Sequence, residues 1–215
     1  MFEANHVNDY GTPRQGLASG DNERFLRLWH EVDFSFVGIG IANEQDLDYR
    51  QKLYAPHNKG GQYRKWYGNL EYVIRFSPQN RIALSNLGNH LPSRKFYFKT
   101  GFTWSDLTSG NFGARYIECG AVFDTTGPTF FINNNSEKTL KYILTYFNSK
   151  IFNHVARIFC SGLHFSNGVI ANLPCIVSQS MEDRVYIIAD TQIDLSKSDW
   201  DSYETSWDFM KSPLV

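Results

Sequence analysis

The sequence predicts an α/β (α+β) fold: an irregular, mostly antiparallel β region packed against one long helix, with a short helical C-terminal extension. Three observations carry that expectation. Between residues 36 and 132 short β-prone runs (LEYVIRF, KFYFK, RYIE, AVFD) alternate with clusters of Gly, Asn, Pro and Ser. From Leu140 to Phe159 apolar residues recur at helical spacing. After Met181 the chain turns acidic and Trp-rich. These features divide it into 1–35, a linker with an N-terminal helix; 36–178, the main domain; and 179–215, the acidic extension.

Taken in order, residues 21–33 (DNERFLRLWHEVD) have the pattern of an amphipathic helix. Asp21 or Asn22 is the cap, and Phe25, Leu28, Trp29 and Val32 form the apolar face. The long helix is predicted from about 136 to 160, with Asn135 or Ser136 at its start and Gly162 placed to end it. Its stripe is Leu140, Ile143, Leu144, Phe147, Ile151, Val155, Ile158 and Phe159, and the β region is the only surface large enough to cover it. VIANLPCIV reads as a short buried strand interrupted at Pro174, while VYIIA suits helix or strand equally. Trp200, Tyr203 and Trp207 recur at i, i+3, i+7, a core or interdomain packing face in preference to a stacking platform for bases, because they lie in the acidic tail.

Composition narrows the class. A chain of 215 residues with 42% hydrophobic and 16% aromatic content can bury a core and is not disordered. No apolar run approaches the roughly 18–20 residues of a membrane span, and the amino-terminal residues lack the apolar stretch of a signal peptide. Cys119, Cys160 and Cys175 share no CxxC spacing, which points to a reduced, cytoplasmic protein without a disulfide framework or zinc site. The net charge of −1 hides a segregation: Arg50–Arg115 holds eleven Lys/Arg and two acids, and Ser180–Val215 holds three bases and eight acids. Such a distribution, more than the total, speaks for a polyanionic partner.

The basic segment concentrates in HNKGGQYRKWYGN, residues 57–69, which contains no acid. Lys59, Arg64 and Lys65 can neutralise phosphates, and Gly60 and Gly61 allow close backbone approach. Gln62, with Asn58 and Asn69, suits adenine, and an arginine suits guanine. Arg115, in FGARY, could reach a groove or pair with Asp124. A guanidinium fork makes Arg64 or Arg115 the better base reader and Lys65 the better phosphate contact. A solvated loop that only keeps the surface soluble is the plain alternative. A nucleophilic hydrolase is the rival from another class, resting on Cys160 near His164. There is no G-x-S-x-G, no H-E-x-x-H and no G-K-[ST], and Cys160 ends an apolar helix where free Cys is usually a small hydrophobe.

Several ordered blocks resemble a known family. GTPRQGLASGDNERFLRLWHEV, NKGGQYRKWYGN, FYFKTGFTWSDLTSGNFGARY, the F-D-x-x-G-P turn, LKYILTYFNSK, HFSNGVIANLPCIV and LSKSDWDSYETSWDF are similar to the segment that follows the catalytic domain in large bacterial adenine-specific DNA methyltransferases. These are the type II restriction–methylase fusions and the PglX-like enzymes of BREX phage defence. The resemblance covers nearly the whole chain and implies a target-recognition domain that reads double-stranded DNA beside a catalytic domain, fused or separate. The catalytic N-P-P-[YFW] tetrapeptide and the Gly-rich strand-to-helix turn for S-adenosylmethionine are absent. The resemblance therefore implies a parent enzyme that uses S-adenosylmethionine, with no cofactor and no catalytic residue in this chain. The alternative is a non-catalytic nucleic-acid or protein-interaction module of a phage-defence complex.

Overall fold

The computed structural model describes residues 5–108, 110–160 and 164–212. The N-terminal third contributes α1 (Val7–Tyr10), β1 (Gly11–Arg14), α2 (Asn22–Phe25), β2 (Leu26–Leu28), α3 (Glu44–Tyr49) and β3 (Tyr54–Asn58). The middle adds β4 (Tyr72–Arg75), α4 (Pro78–Leu87), β5 (Gly101–Trp104), β6 (Ala114–Ile117), β7 (Val122–Phe123) and β8 (Thr129–Ile132). Helices α5 (Glu137–Phe147), α6 (Lys150–Phe159), α7 (Asn167–Ala171) and α8 (Glu182–Trp200) complete it. The strands form two four-stranded sheets, ordered β1-β8-β5-β6 and β2-β4-β3-β7. Every pairing is antiparallel except β3 with β7, so the α+β expectation holds.

Each sheet has its own core. The first packs Phe102, Trp104 and Phe130 against Leu140, Ile143, Leu144 and Phe147 of α5 and Phe152 of α6. Phe102 stacks on Phe130 at 4.8 Å between ring centroids. The second buries Phe25, Ile74, Phe76, Leu84 and Phe123 between its sheet, α3 and α4. Strand β8 serves both, because alternate residues of a strand face opposite ways: Phe130 enters the first core and Phe131 the second. Burying one such aromatic is worth about 2–3 kcal/mol.

Several expected elements differ. The helix over 21–33 stops after one turn, because Leu26–Leu28 pairs with Ile74–Tyr72 of β4 and the ladder outcompetes a short amphipathic pattern. KFYFK is no strand; Arg94–Phe96 is a single helical turn and Phe98 takes a left-handed φ of 65°. Residues 36–132 also contain α4, which opens on Pro78 after Ser77, a start signal that sequence reasoning passed over. VIANLPCIV begins as α7, and VYIIA lies in α8.

The long helix is two. Asn148 ends α5 and Ser149 caps α6, its side chain accepting from Phe152 N. The break rotates the second half: Phe152 and Ala156 enter the core, while Ile151 (70% exposed), Ile158 and Phe159 face outward. Leu144 and Phe147 are fully buried as expected, and Ile151 is not. Gly162, expected to end the helix, lies outside the described residues.

The terminal segments are woven in. Residues 5–35 supply β1 to one sheet and β2 to the other. Helix α8 runs along α5, with Lys138 paired to Asp183 (2.6 Å) and the mostly buried Lys141 held by Glu137 (2.6 Å) and Asp190. Of the tail aromatics, Trp200 is buried in the first core, Trp207 is half-buried and Tyr203 is exposed.

Candidate nucleic-acid interface

The basic segment leaves the end of β3 in the second sheet and crosses to the edge of the first. There Trp66 N donates to Ala114 O (2.8 Å) and Tyr116 N donates to Trp66 O (2.7 Å), so the loop adds one rung beside β6. Trp66 and Asn69 take positive φ (71° and 61°), and Gly68 takes 114°, which returns the chain to β4. Gly68 also lies under Trp200, where a Cβ would come within 3.0 Å of the indole.

The double glycine docks the loop on the protein. A Cβ on Gly60 would meet Thr126 O at 2.5 Å, so only glycine fits against the Asp124–Pro128 turn. Gly60 N donates to Thr126 Oγ1 (3.3 Å) and Gly61 N to Ser105 Oγ (3.0 Å), which occupies both amides expected to face a ligand. The turn is held by Asp124. Its carboxylate accepts from Thr126 N (2.8 Å), Thr126 Oγ1 (2.9 Å) and Thr125 Oγ1 (3.1 Å), and lies 3.2 Å from His57 Nε2. Burial pushes the Asp124 pKa up, but the hydrogen bonds and charge of His57 and the bonds from Thr126 outweigh it and hold it well below the usual carboxylate range.

Lys59, Gly60, Gly61, Gln62 and Arg64 come together around one open hollow of about 430 Å³. Its far wall is Trp200 and Tyr203, and Glu71 and Tyr72 complete the floor. Lys59 Nζ sits 5.3 Å from the Tyr72 ring centroid and the Arg64 guanidinium 4.9 Å from that of Trp200. Arg64 Nη1 also contacts Asp199 Oδ2 at 3.2 Å. The acidic tail is thus a wall of this hollow.

Lys65 projects to the other side of the loop. Its Nζ donates to Asn148 O (2.6 Å), and burial pulls its pKa down from the ordinary ammonium value. Asn148 clasps β6, accepting from Ala114 N and donating to Ala114 O at 2.9 Å each. Arg115 is enclosed: 1% exposed, with Nε and Nη2 lacking any hydrogen-bond partner among the described residues. It neither reaches a groove nor pairs with Asp124, and burial, with the nearby Arg64 charge, pulls its pKa down to about 10. Directly paired positions share a sheet face, so Arg115 lies beside Thr103, whose Oγ1 accepts from the buried Asn58.

The rival chemistry has no support in the geometry. Cys160 and Cys175 are buried, and burial raises both thiol pKa values, that of Cys175 to about 12. His164 Nδ1 lies 3.2 Å from Asp106 Oδ2 at the surface. Among the described residues no cluster of three His, Cys, Asp or Glu could hold a metal, and no helix is long and apolar enough to cross a membrane. In the turn between β1 and α2 a Cβ on Gly16 would meet Phe123 O at 1.9 Å and one on Gly20 would meet Leu87 O at 2.4 Å, so both glycines serve close packing of the backbone.

Sequence reasoning also missed Lys150, His154 and Arg157 of α6, all exposed. They stand at i, i+4 and i+7 and therefore on one helix face, a signal overshadowed by the apolar stripe one residue along.

No protein-family model matches the chain. It is 34% identical over 222 aligned residues to "Adenine-specific methyltransferase PglX" of Lacticaseibacillus casei (strain Zhang), covering 100% of this chain and 18% of that protein. It is 35% identical over 198 residues to "Adenine-specific methyltransferase BrxX" of Escherichia coli O9:H4 (strain HS), covering 92% and 15% respectively. The chain is a homologue of one segment of PglX- and BrxX-type adenine-specific methyltransferases and spans less than a fifth of their length.

Proposed function

We propose that this chain is the DNA target-recognition domain of an adenine-specific DNA methyltransferase of BREX phage defence, working in the cytoplasm beside a catalytic domain, fused or separate. The observation that carries the reading is the acid-free loop 57–69, pinned at Gly60, Gly61 and Trp66 so that Lys59, Gln62 and Arg64 line one open hollow of a homologue of PglX. A loop fixed at both ends on a rigid scaffold presents its side chains with little ordering cost on binding. In this reading Arg64 reads a base edge, because its planar fork matches guanine O6 and N7, and Lys59 contacts phosphate. The parent enzyme supplies S-adenosylmethionine and the transfer chemistry; this chain supplies register and sequence choice.

Fluorescence anisotropy with a randomised duplex pool, followed by the selected site, tests the reading. Arg64→Ala should lose about 1–3 kcal/mol on the selected site together with discrimination at one base pair. Lys59→Ala should weaken all duplexes alike and make the log–log salt slope shallower by roughly one unit. Selection that returns no sequence preference, with the methyltransferase present, would sink the assignment in favour of a non-catalytic interaction module.

A further inference from the structure

Beside the loop, on the side away from Arg64, lies a second hollow of about 340 Å³. Lys65, Lys150, His154 and Arg157 line it, with Tyr63, Asn111 and Asn153 between them. No carboxylate lines it, and none of its four basic side chains is in an ion pair among the described residues. That sets it apart from the first hollow, where Glu71 lines the floor and Asp199 holds Arg64.

The protein builds this arrangement and does not merely tolerate it. Lys65 is fixed by its bond to Asn148 O and Arg157 Nη2 by Asn111 Oδ1 (2.6 Å). Asn153 Oδ1 accepts from Phe112 N (2.8 Å), tying α6 to the segment that carries Asn111. Both cations are oriented by neutral acceptors and keep their charge uncompensated. Lys150 opens α6, whose first turn has no acid, although the positive end of the helix dipole disfavours a cation there. Mutual repulsion, an unfavourable dipole and partial desolvation of Lys65 are all relieved by one thing, an anion with several acceptor oxygens.

We infer that the α6 hollow is a phosphate-binding subsite that seats the sugar–phosphate backbone of duplex DNA, with Lys65, Lys150 and Arg157 as its contacts, while the far side of the loop faces the bases. This rests on the DNA-recognition reading and adds to it the register-setting contact and three residues that carry it. Phosphate contacts fix a protein's position on the duplex without reading sequence, so the two hollows divide the work between them.

The test is a nitrogen-15 NMR titration of the 215-residue chain with a short duplex, run beside anisotropy on Lys150→Ala, Arg157→Ala and the double charge reversal Lys150→Glu/Arg157→Glu. The backbone amides of Lys150–Arg157 should shift together with those of Lys59–Lys65. Each alanine variant should bind every duplex roughly 3–10-fold more weakly at low salt and lower the salt slope by about one unit. The double reversal should abolish binding while its melting curve stays that of a folded protein, since both residues are exposed. Loop shifts without α6 shifts, or wild-type salt slopes in both alanine variants, overturn the subsite and leave the recognition reading standing. Shifts at α6 with no sequence preference keep a backbone subsite and remove sequence recognition. Tighter binding of an A-form RNA duplex overturns the assignment to DNA.

Discussion

Arg64 and Lys65 are consecutive, yet the fold sends them into opposite surroundings. Arg64 lies between Trp200 and Asp199, in a hollow closed on one side by the acidic tail. Lys65 faces α6, among cations, amides and Tyr63, with no carboxylate in the lining. A basic run in a sequence is therefore not a basic patch: an extended segment alternates its side chains, and the neighbours on each side decide which charges are spent internally and which remain available. The Arg64–Asp199 contact is partly exposed, and such pairs contribute about 0–1 kcal/mol, so an incoming anion can displace it. Each side also has its own buried anchor, Asp124 under the Gly60 turn and Asn148 under α6.

The anchors give the largest effects. Asp124→Ala should cost on the order of 3–5 kcal/mol in urea denaturation, because it strips the buried His57 of its partner and opens the turn on which Gly60 rests. The same carboxylate sets an acid limit. Its folded pKa lies below the ordinary 3.8, so its stabilisation is complete above that value and is lost as pH falls below it. A wild-type stability profile between pH 5 and 2 that matches that of Asp124→Asn would contradict this anchor. Asn148→Ala comes next, at about 2–3 kcal/mol for two buried bonds to Ala114, and should disturb the α6 side while sparing the Arg64 hollow.

Arg115→Met tests the buried charge on β6. With Nε and Nη2 lacking a partner among the described residues, the charge is a burden, and an apolar chain of similar volume should raise stability by about 1–2 kcal/mol. A drop in melting temperature would mean that the guanidinium has a partner that its geometry does not reveal. The smallest effect belongs to Asp199→Ala, which should change stability by less than about 1 kcal/mol yet strengthen duplex binding by freeing Arg64. Weaker binding in that variant would break the idea of a competitive acidic wall.

Helix α5, the antiparallel bias and the loop as a unit were legible in the sequence because each rests on local pattern: a helical stripe, short β runs between breakers, an acid-free cluster around Gly-Gly. What escaped was decided by partners distant in the chain. Leu26–Leu28 is helix-like until β4 lies beside it, and VIANLPCIV looks strand-like until α7 caps the first core. The break at Asn148-Ser149 was the costliest omission. Both residues are cap formers, but Ile151, Val155, Ile158 and Phe159 continue an apolar stripe so well that one helix looked sufficient. With α6 bounded correctly, Lys150, His154 and Arg157 fall on one face and the second hollow becomes readable.

The rung that Trp66 makes with β6 has a consequence for how such a domain can change over time. Strand β6 is the last in its sheet, and a bare last strand is a template for pairing with another molecule. Because the loop itself supplies the cover, its tip at 59–64 can be exchanged for another sequence only if the Trp66 rung and the left-handed return through Gly68 and Asn69 come with it. The loop is a replaceable bit on a fixed chuck: new tip sequences stay soluble where the shank is kept, and swaps that cut into it should surface as inclusion bodies.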